Sequence, residues 1–82
     1  MKTKPISAKH KIQLENLGLF LKNIRLLEEN LTQMGLSEHL NLHHNTIQRV
    51  EKGANTTLVT LFEIADYTGY KISELFEIWD EK

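Results

Sequence analysis

The chain contains no cysteine and only one proline in 82 residues. Disulfide staples and cysteine-ligated zinc are excluded, so a small fold must rest on its apolar core, as suits a reducing cytoplasm. No run of about 18 apolar residues could span a bilayer. Residues 1–5 are basic, but no unbroken apolar stretch follows of the kind a secretory signal requires. Neither sign of charge dominates: ten Lys and Arg face eleven Asp and Glu, a net charge of −1. That balance argues weakly against a protein that coats nucleic acid by charge alone.

The charge is segregated, however, and a neutral total can hide a basic face. Residues 1–25 carry Lys2, Lys4, Lys9, Lys11, Lys22 and Arg25 against Glu15 alone. Residues 57–82 carry Glu63, Asp66, Glu74, Glu77, Asp80 and Glu81 against Lys71 and Lys82. The length allows one domain, and a chain this short buries only about two-thirds of its unfolded surface.

Hydrophobic spacing predicts an all-α fold of five helices. Residues 1–8 hold the only proline and no periodicity, and are read as a flexible basic arm. From 9 to 29, Leu14, Leu17, Leu21 and Ile24 recur at helical spacing, with Phe20 and Leu27 on the neighbouring side. Thr32 is a good N-cap for a second helix over 33–40, in which Leu36, Ser37 and Leu40 share a side. Asn41 tolerates the left-handed conformation that ends a helix in a tight turn, and Leu42 anchors that turn.

A third helix runs from about His44 to Lys52 and stops at Gly53. On its wheel His44, Gln48, Lys52, Asn45 and Arg49 fill one arc of about 140°. Thr46, Ile47 and Val50 lie opposite. Thr56 or Thr57 caps a fourth helix with the stripe Leu58, Leu61, Phe62 and Ala65, which Gly69 ends. Ile72, Leu75, Phe76 and Trp79 repeat the spacing in a last helix, so the domain spans 9–79, with residues 80–82 frayed. Little sequence remains to cover Phe76 and Trp79, and their exposure predicts a homodimer patch.

Residues 31–53, LTQMGLSEHLNLHHNTIQRVEKG, resemble the helix-turn-helix of the phage repressor and Cro type, the XRE family. The following ANTTLVTLFEIADYTGYKISELF looks like that family's fourth and fifth helices, so the resemblance covers about residues 20–76. It implies a lambda-repressor-like domain that binds double-stranded DNA and regulates transcription, as a repressor on a near-palindromic operator. His44, Asn45, Gln48 and Arg49 match base-reading positions. Thr32, Gln33, His43, Thr46, Lys52 and Asn55 fall where phosphates are contacted. Arginine can bond bidentately to guanine and asparagine to adenine, and helix N-termini favour phosphate.

The resemblance also implies an ion pair from an arginine of the first helix, Arg25, to Glu51. Some positions depart from the family pattern. The junction Glu29-Asn30-Leu31 is short, Gly35 lies inside the second helix, and Ser37 stands for a small alanine. Asn41 replaces a turn glycine, His43 a Ser or Thr cap, and Thr56 a frequent proline. His39, His43 and His44 do not make a metal site, since Asn41 and Leu42 interrupt the helix between them and no third ligand is evident. Glu51 has no catalytic partner, so neither an enzyme nor a cofactor is expected. An antitoxin or adaptor whose main partner is another protein is the alternative reading, supported by the acidic second half and the aromatic end.

Overall fold

The computed structural model describes residues 5–80. Five α-helices follow one another: α1 (Ala8–Asn23), α2 (Gln33–Leu40), α3 (His44–Glu51), α4 (Leu58–Thr68) and α5 (Ile72–Trp79). A π-helical segment, Ile24–Glu28, extends α1, and no strand occurs among the described residues. Residues 1–4 of the arm expected over 1–8, and residues 81–82 of the expected frayed end, lie outside the described residues.

Side-chain caps set the helix starts. Ser7 Oγ accepts from the His10 N–H, Thr32 Oγ1 from Gly35 and Thr57 Oγ1 from Thr60. Each satisfies one of the N–H groups that a helix start leaves without an intrahelical acceptor. Left-handed residues end α2 and α4: Asn41 has φ 56° and Gly69 φ 80°. Asp80, expected in the frayed end, closes α5 and accepts a hydrogen bond from Gln13 Nε2 at 2.5 Å.

Leu17, Leu21, Leu36, Leu40, Ile47, Val50, Ile64, Ala65, Leu75 and Trp79 form one core to which all five helices contribute. Three expectations need correction. The first helix does not continue as an α-helix to Glu29, because its last turn widens: the Glu29 N–H bonds to the carbonyl of Ile24, five residues back. A π turn takes more residues than an α turn, so later side chains rotate off the buried face. Leu27 is consequently 79% exposed. The same turn resolves the short junction, with Asn30 left-handed at φ 53°.

The inner face of α4 is Thr60, Ile64 and Ala65 with Leu61 beside them, whereas Leu58 and Phe62 point outward. Periodicity alone allowed either face, since apolar residues lie on both. Trp79 is not an exposed dimer residue: it is 5% exposed. α1 passes over the end of α5, and Phe20 meets the Trp79 ring edge-on at 6.1 Å between centroids. Asn16 Nδ2 also donates to the Trp79 carbonyl at 3.1 Å. Phe76 remains 45% exposed and packs edge-on to Trp79. No helix among the described residues is long and apolar enough to cross a membrane.

Candidate nucleic-acid interface

α2 and α3 are held at a fixed angle by a turn with little freedom. The Asn41 N–H returns to the carbonyl of Ser37, and Leu42 N–H bonds to the same oxygen at 3.3 Å. Leu42 tucks against the core, so the chain enters α3 from a pinned position. His43 then caps α3, its Nδ1 accepting from the Asn45 N–H at 3.1 Å. An imidazole thus takes the place of a Ser or Thr hydroxyl. Because Nδ1 is the acceptor, the ring hydrogen sits on Nε2, where it can donate outward without a positive charge.

Two faces of α3 differ sharply. Ile47 and Val50 are fully buried against the core. Asn45, Arg49 and Lys52 are exposed, while His44 and Gln48 are half-buried at the margin of the same arc. Among the described residues, no hydrogen bond or ion pair engages the side chains of these five. Thr46 is half-buried on the other side of the helix start, its N–H bonded to the His43 carbonyl. The structure therefore gathers the four expected base readers and Lys52 on one helix face.

The remaining expected positions flank that face. Thr32 and Gln33 stand at the start of α2, and Asn55 follows α3 in an exposed loop, its Oδ1 accepting from the Thr56 N–H. Gln33 differs from its expectation in one respect. Its side-chain Nε2 turns inward and donates to Glu51 Oε1 at 3.0 Å. What the start of α2 offers a phosphate is then the backbone N–H groups of its first turn rather than this amide.

Glu51 is the hub beneath the interface. Arg25 Nε and Nη2 bond its two carboxylate oxygens at 2.8 and 2.9 Å, a bidentate pair with side chains only 9% and 4% exposed. Arg25 Nη1 also donates to the Leu31 carbonyl at 3.0 Å. One guanidinium therefore ties the π segment, the α1–α2 junction and the end of α3 together. The hydrogen bond to Glu51 raises the Arg25 pKa above its ordinary value despite the opposing effect of burial. The guanidinium stays charged throughout the neutral range, and its planar fork geometry is one a lysine could not reproduce.

A second positioning residue escaped the sequence reading. A Cβ on Gly18 would stand 2.4 Å from the Val50 carbonyl oxygen and 3.0 Å from that of Glu51. α1 can cross the end of α3 this closely only because residue 18 has no side chain. The available signal was a glycine in mid-helix, which costs about 1 kcal/mol relative to alanine and so asks for a packing reason. Gly53, left-handed at φ 83°, closes the same crossing against Glu15.

This arrangement presents a rigid polar helix face beside the backbone donors at the start of α2, a shape suited to a groove lined by phosphates. Among the described residues no cluster of His, Cys, Asp or Glu could hold a metal ion. A family model described as helix-turn-helix matches residues 21–75. Neither curated proteins nor solved structures provide a match. The family match covers more than half of the chain and spans all three parts of the interface, the Arg25–Glu51 clamp, the α2–α3 turn and the outer face of α3: the chain belongs to the helix-turn-helix family of the phage repressor and Cro type, whose members are DNA-binding transcriptional regulators.

Proposed function

We propose that the protein is a sequence-specific repressor that binds a near-palindromic operator as a homodimer, with α3 in the major groove. The observation that carries this reading is the outer face of α3, where His44, Asn45, Gln48 and Arg49 stand free on a helix otherwise locked into the core. Arg49 reads guanine and Asn45 adenine, each good pair giving about 1–3 kcal/mol of discrimination. Phosphates are met by Lys52, Asn55, the Nε2–H of His43, and Thr32, Gln33 and Thr46 at the two helix starts.

The dimer rests on exposed apolar side chains of the last two helices. Phe76 and Ile78 on α5, and Leu58, Val59 and Phe62 on α4, leave an apolar surface that a second copy would cover. Two recognition helices would then meet the major groove about 34 Å apart, one helical turn. Repression follows where the operator overlaps a promoter, since occupancy alone blocks it.

Selection of binding sites from random duplexes tests the whole reading. The expected product is a palindrome whose half-sites are centred about one turn apart. A single unpaired half-site at saturation would refute the dimer, and absence of any enriched sequence would refute base reading. A protein partner, as for an antitoxin or adaptor, has separate support in Ile12, Leu19 and Leu27, exposed along the first helical stretch. Co-purification of a stoichiometric partner would favour that role.

A further inference from the structure

α1 and the π segment carry an apolar stripe on the side away from the core. With Ile12 at zero on the helical wheel, Leu19 falls at about −20°, opposite the buried Leu17 and Leu21 at about 140° and 180°. The wider π turn then brings Leu27 into line beyond Leu19, with Leu26 beside it, and all four stripe residues are exposed. Glu15 and Lys22 border the stripe on one flank, at about −60° and −80°, and Lys9 borders it on the other, at about 60°. Glu28, one residue past Leu27, turns to the flank of Lys9. These four charged residues are exposed, and none joins an ion pair among the described residues.

A separate observation is the order of charge along this stretch. Lys9 and Lys11 open α1, whose first turn holds no acid, and Glu28 and Glu29 close the π segment. Positive charge at a helix N-terminus and negative charge at its C-terminus oppose the macrodipole, so the order is unfavourable for a helix standing alone. An antiparallel neighbour of the same sequence removes that conflict. Its acidic end lies beside the basic end, and the two dipoles run in opposite directions.

We propose that a second copy of the chain docks antiparallel along α1, about a twofold axis beside Leu19. Leu19 meets its own counterpart there, and Ile12 meets Leu26 and Leu27 of the second copy. On one flank Glu15 faces Lys22 of the second copy, on the other Lys9 faces Glu28, and the twofold makes each pair twice. A parallel pairing would instead set basic start beside basic start and acidic end beside acidic end.

This face is separate from the exposed residues of α4 and α5 assigned above to the operator dimer. The stretch is about 30 Å long and about 10 Å wide, so docking buries on the order of 600 Å2 in total. A stable interface needs about 1,000 Å2. The contact is therefore weak between free chains, and it serves to join operator dimers already held on one DNA. That last role rests on the DNA reading, whereas the docking does not.

The chain has no cysteine, so a single introduced one reports alone. The full-length Leu19→Cys and Ile12→Cys proteins are treated with a short bismaleimide, able to bridge helices packed about 8–10 Å apart. Leu19→Cys should link at least about tenfold faster, because antiparallel docking holds the two Ile12→Cys sites about 20 Å apart. Equal rates overturn the docking, as does faster linking of Ile12→Cys, which a parallel pair would give. Linking of neither overturns it too.

Charge exchange then tests the flanks. In the Leu19→Cys protein, Lys9→Glu or Glu28→Lys should each slow linking at least about threefold, and a mixture of the two should yield mainly the mixed product. Both changes favour the helix dipole, so neither should lower the melting temperature. A mixture that links no better than its parts overturns the antiparallel register. On duplexes carrying two selected operators at a series of spacings, the second dimer should bind about fivefold tighter at one spacing. Leu19→Glu should abolish that gain and leave single-operator affinity unchanged. No gain at any spacing overturns the role on DNA and upholds the docking.

Discussion

The helix-turn-helix and the opposite wall of the bundle are built on different terms. Across residues 32–53 polar groups are committed to holding the motif together: Thr32 and His43 to caps, Gln33 to Glu51, Asn41 to its turn, with Arg25 reaching Glu51 from the π segment. What remains uncommitted there is the polar outer face of α3. Where α1 starts and α4 and α5 meet, the reverse holds. Apolar residues remain uncovered, a cavity stays open, and the buried indole N–H of Trp79 lacks a partner among the described residues. Recognition of a fixed lattice of phosphates and base edges gains from a surface that loses little freedom on binding. The other end keeps free what can still be buried, which is the usual mark of a surface awaiting a partner or ligand.

The largest expected effects break the locked region. Glu51→Ala leaves Arg25 charged and buried without its carboxylate, and chemical denaturation should show a loss of about 3–5 kcal/mol. A loss under about 1 kcal/mol, the value of an exposed pair, would mean the clamp is not sealed. Gly18→Ala should cost about 1–3 kcal/mol, because the added methyl meets the Val50 carbonyl and α1 must move away. Unlike most glycine-to-alanine changes in a helix it should destabilise, and a rise in melting temperature would show that the crossing is looser than described.

Changes on the outer face should leave stability alone and act on DNA. Arg49→Ala is expected to cost about 1–3 kcal/mol of operator affinity and to relax preference at one base position. Lys52→Ala should weaken all sequences alike and reduce the salt slope by about 1. Equal losses with preference unchanged for both would remove α3 from base reading. The smallest effect belongs to the exposed flank of the π segment: Leu27→Gln should alter stability by no more than about 0.5 kcal/mol, since the side chain is already in solvent. A larger loss in dilute protein would mean that a partner or second copy covers it.

Much of the interface was legible because its signals are local. Thr32, Asn41, Gly53 and the two-sided wheel of α3 each act within a few residues, and the structure keeps all of them. The Arg25–Glu51 pair was legible only through the family resemblance, since nothing in residues 25 to 51 dictates that two side chains 26 positions apart will meet. Errors fell where a choice depended on distant chain. Phe62 and Ile64 are both apolar on α4, and which one enters the core depends on where α2 and α5 pack. Trp79 looked uncovered because its sequence neighbours Asp80, Glu81 and Lys82 offer no apolar cover, yet Phe20, from the first helix, provides it.

By itself, then, the sequence determined that this chain is helical, where most of its helices start and stop, and which side chains of α3 face away from the core. Caps, turns and a 3.6-residue period are short-range effects written within a single turn or two. Tertiary structure alone decided the depth at which α1 crosses α3 over Gly18, the inward turn of Gln33, the burial of Trp79, and the cavity beside it. These depend on how close two surfaces remote in sequence can come. Steric fit at that range is set by the whole packed core, where the absence of one Cβ or the presence of one ring moves everything around it.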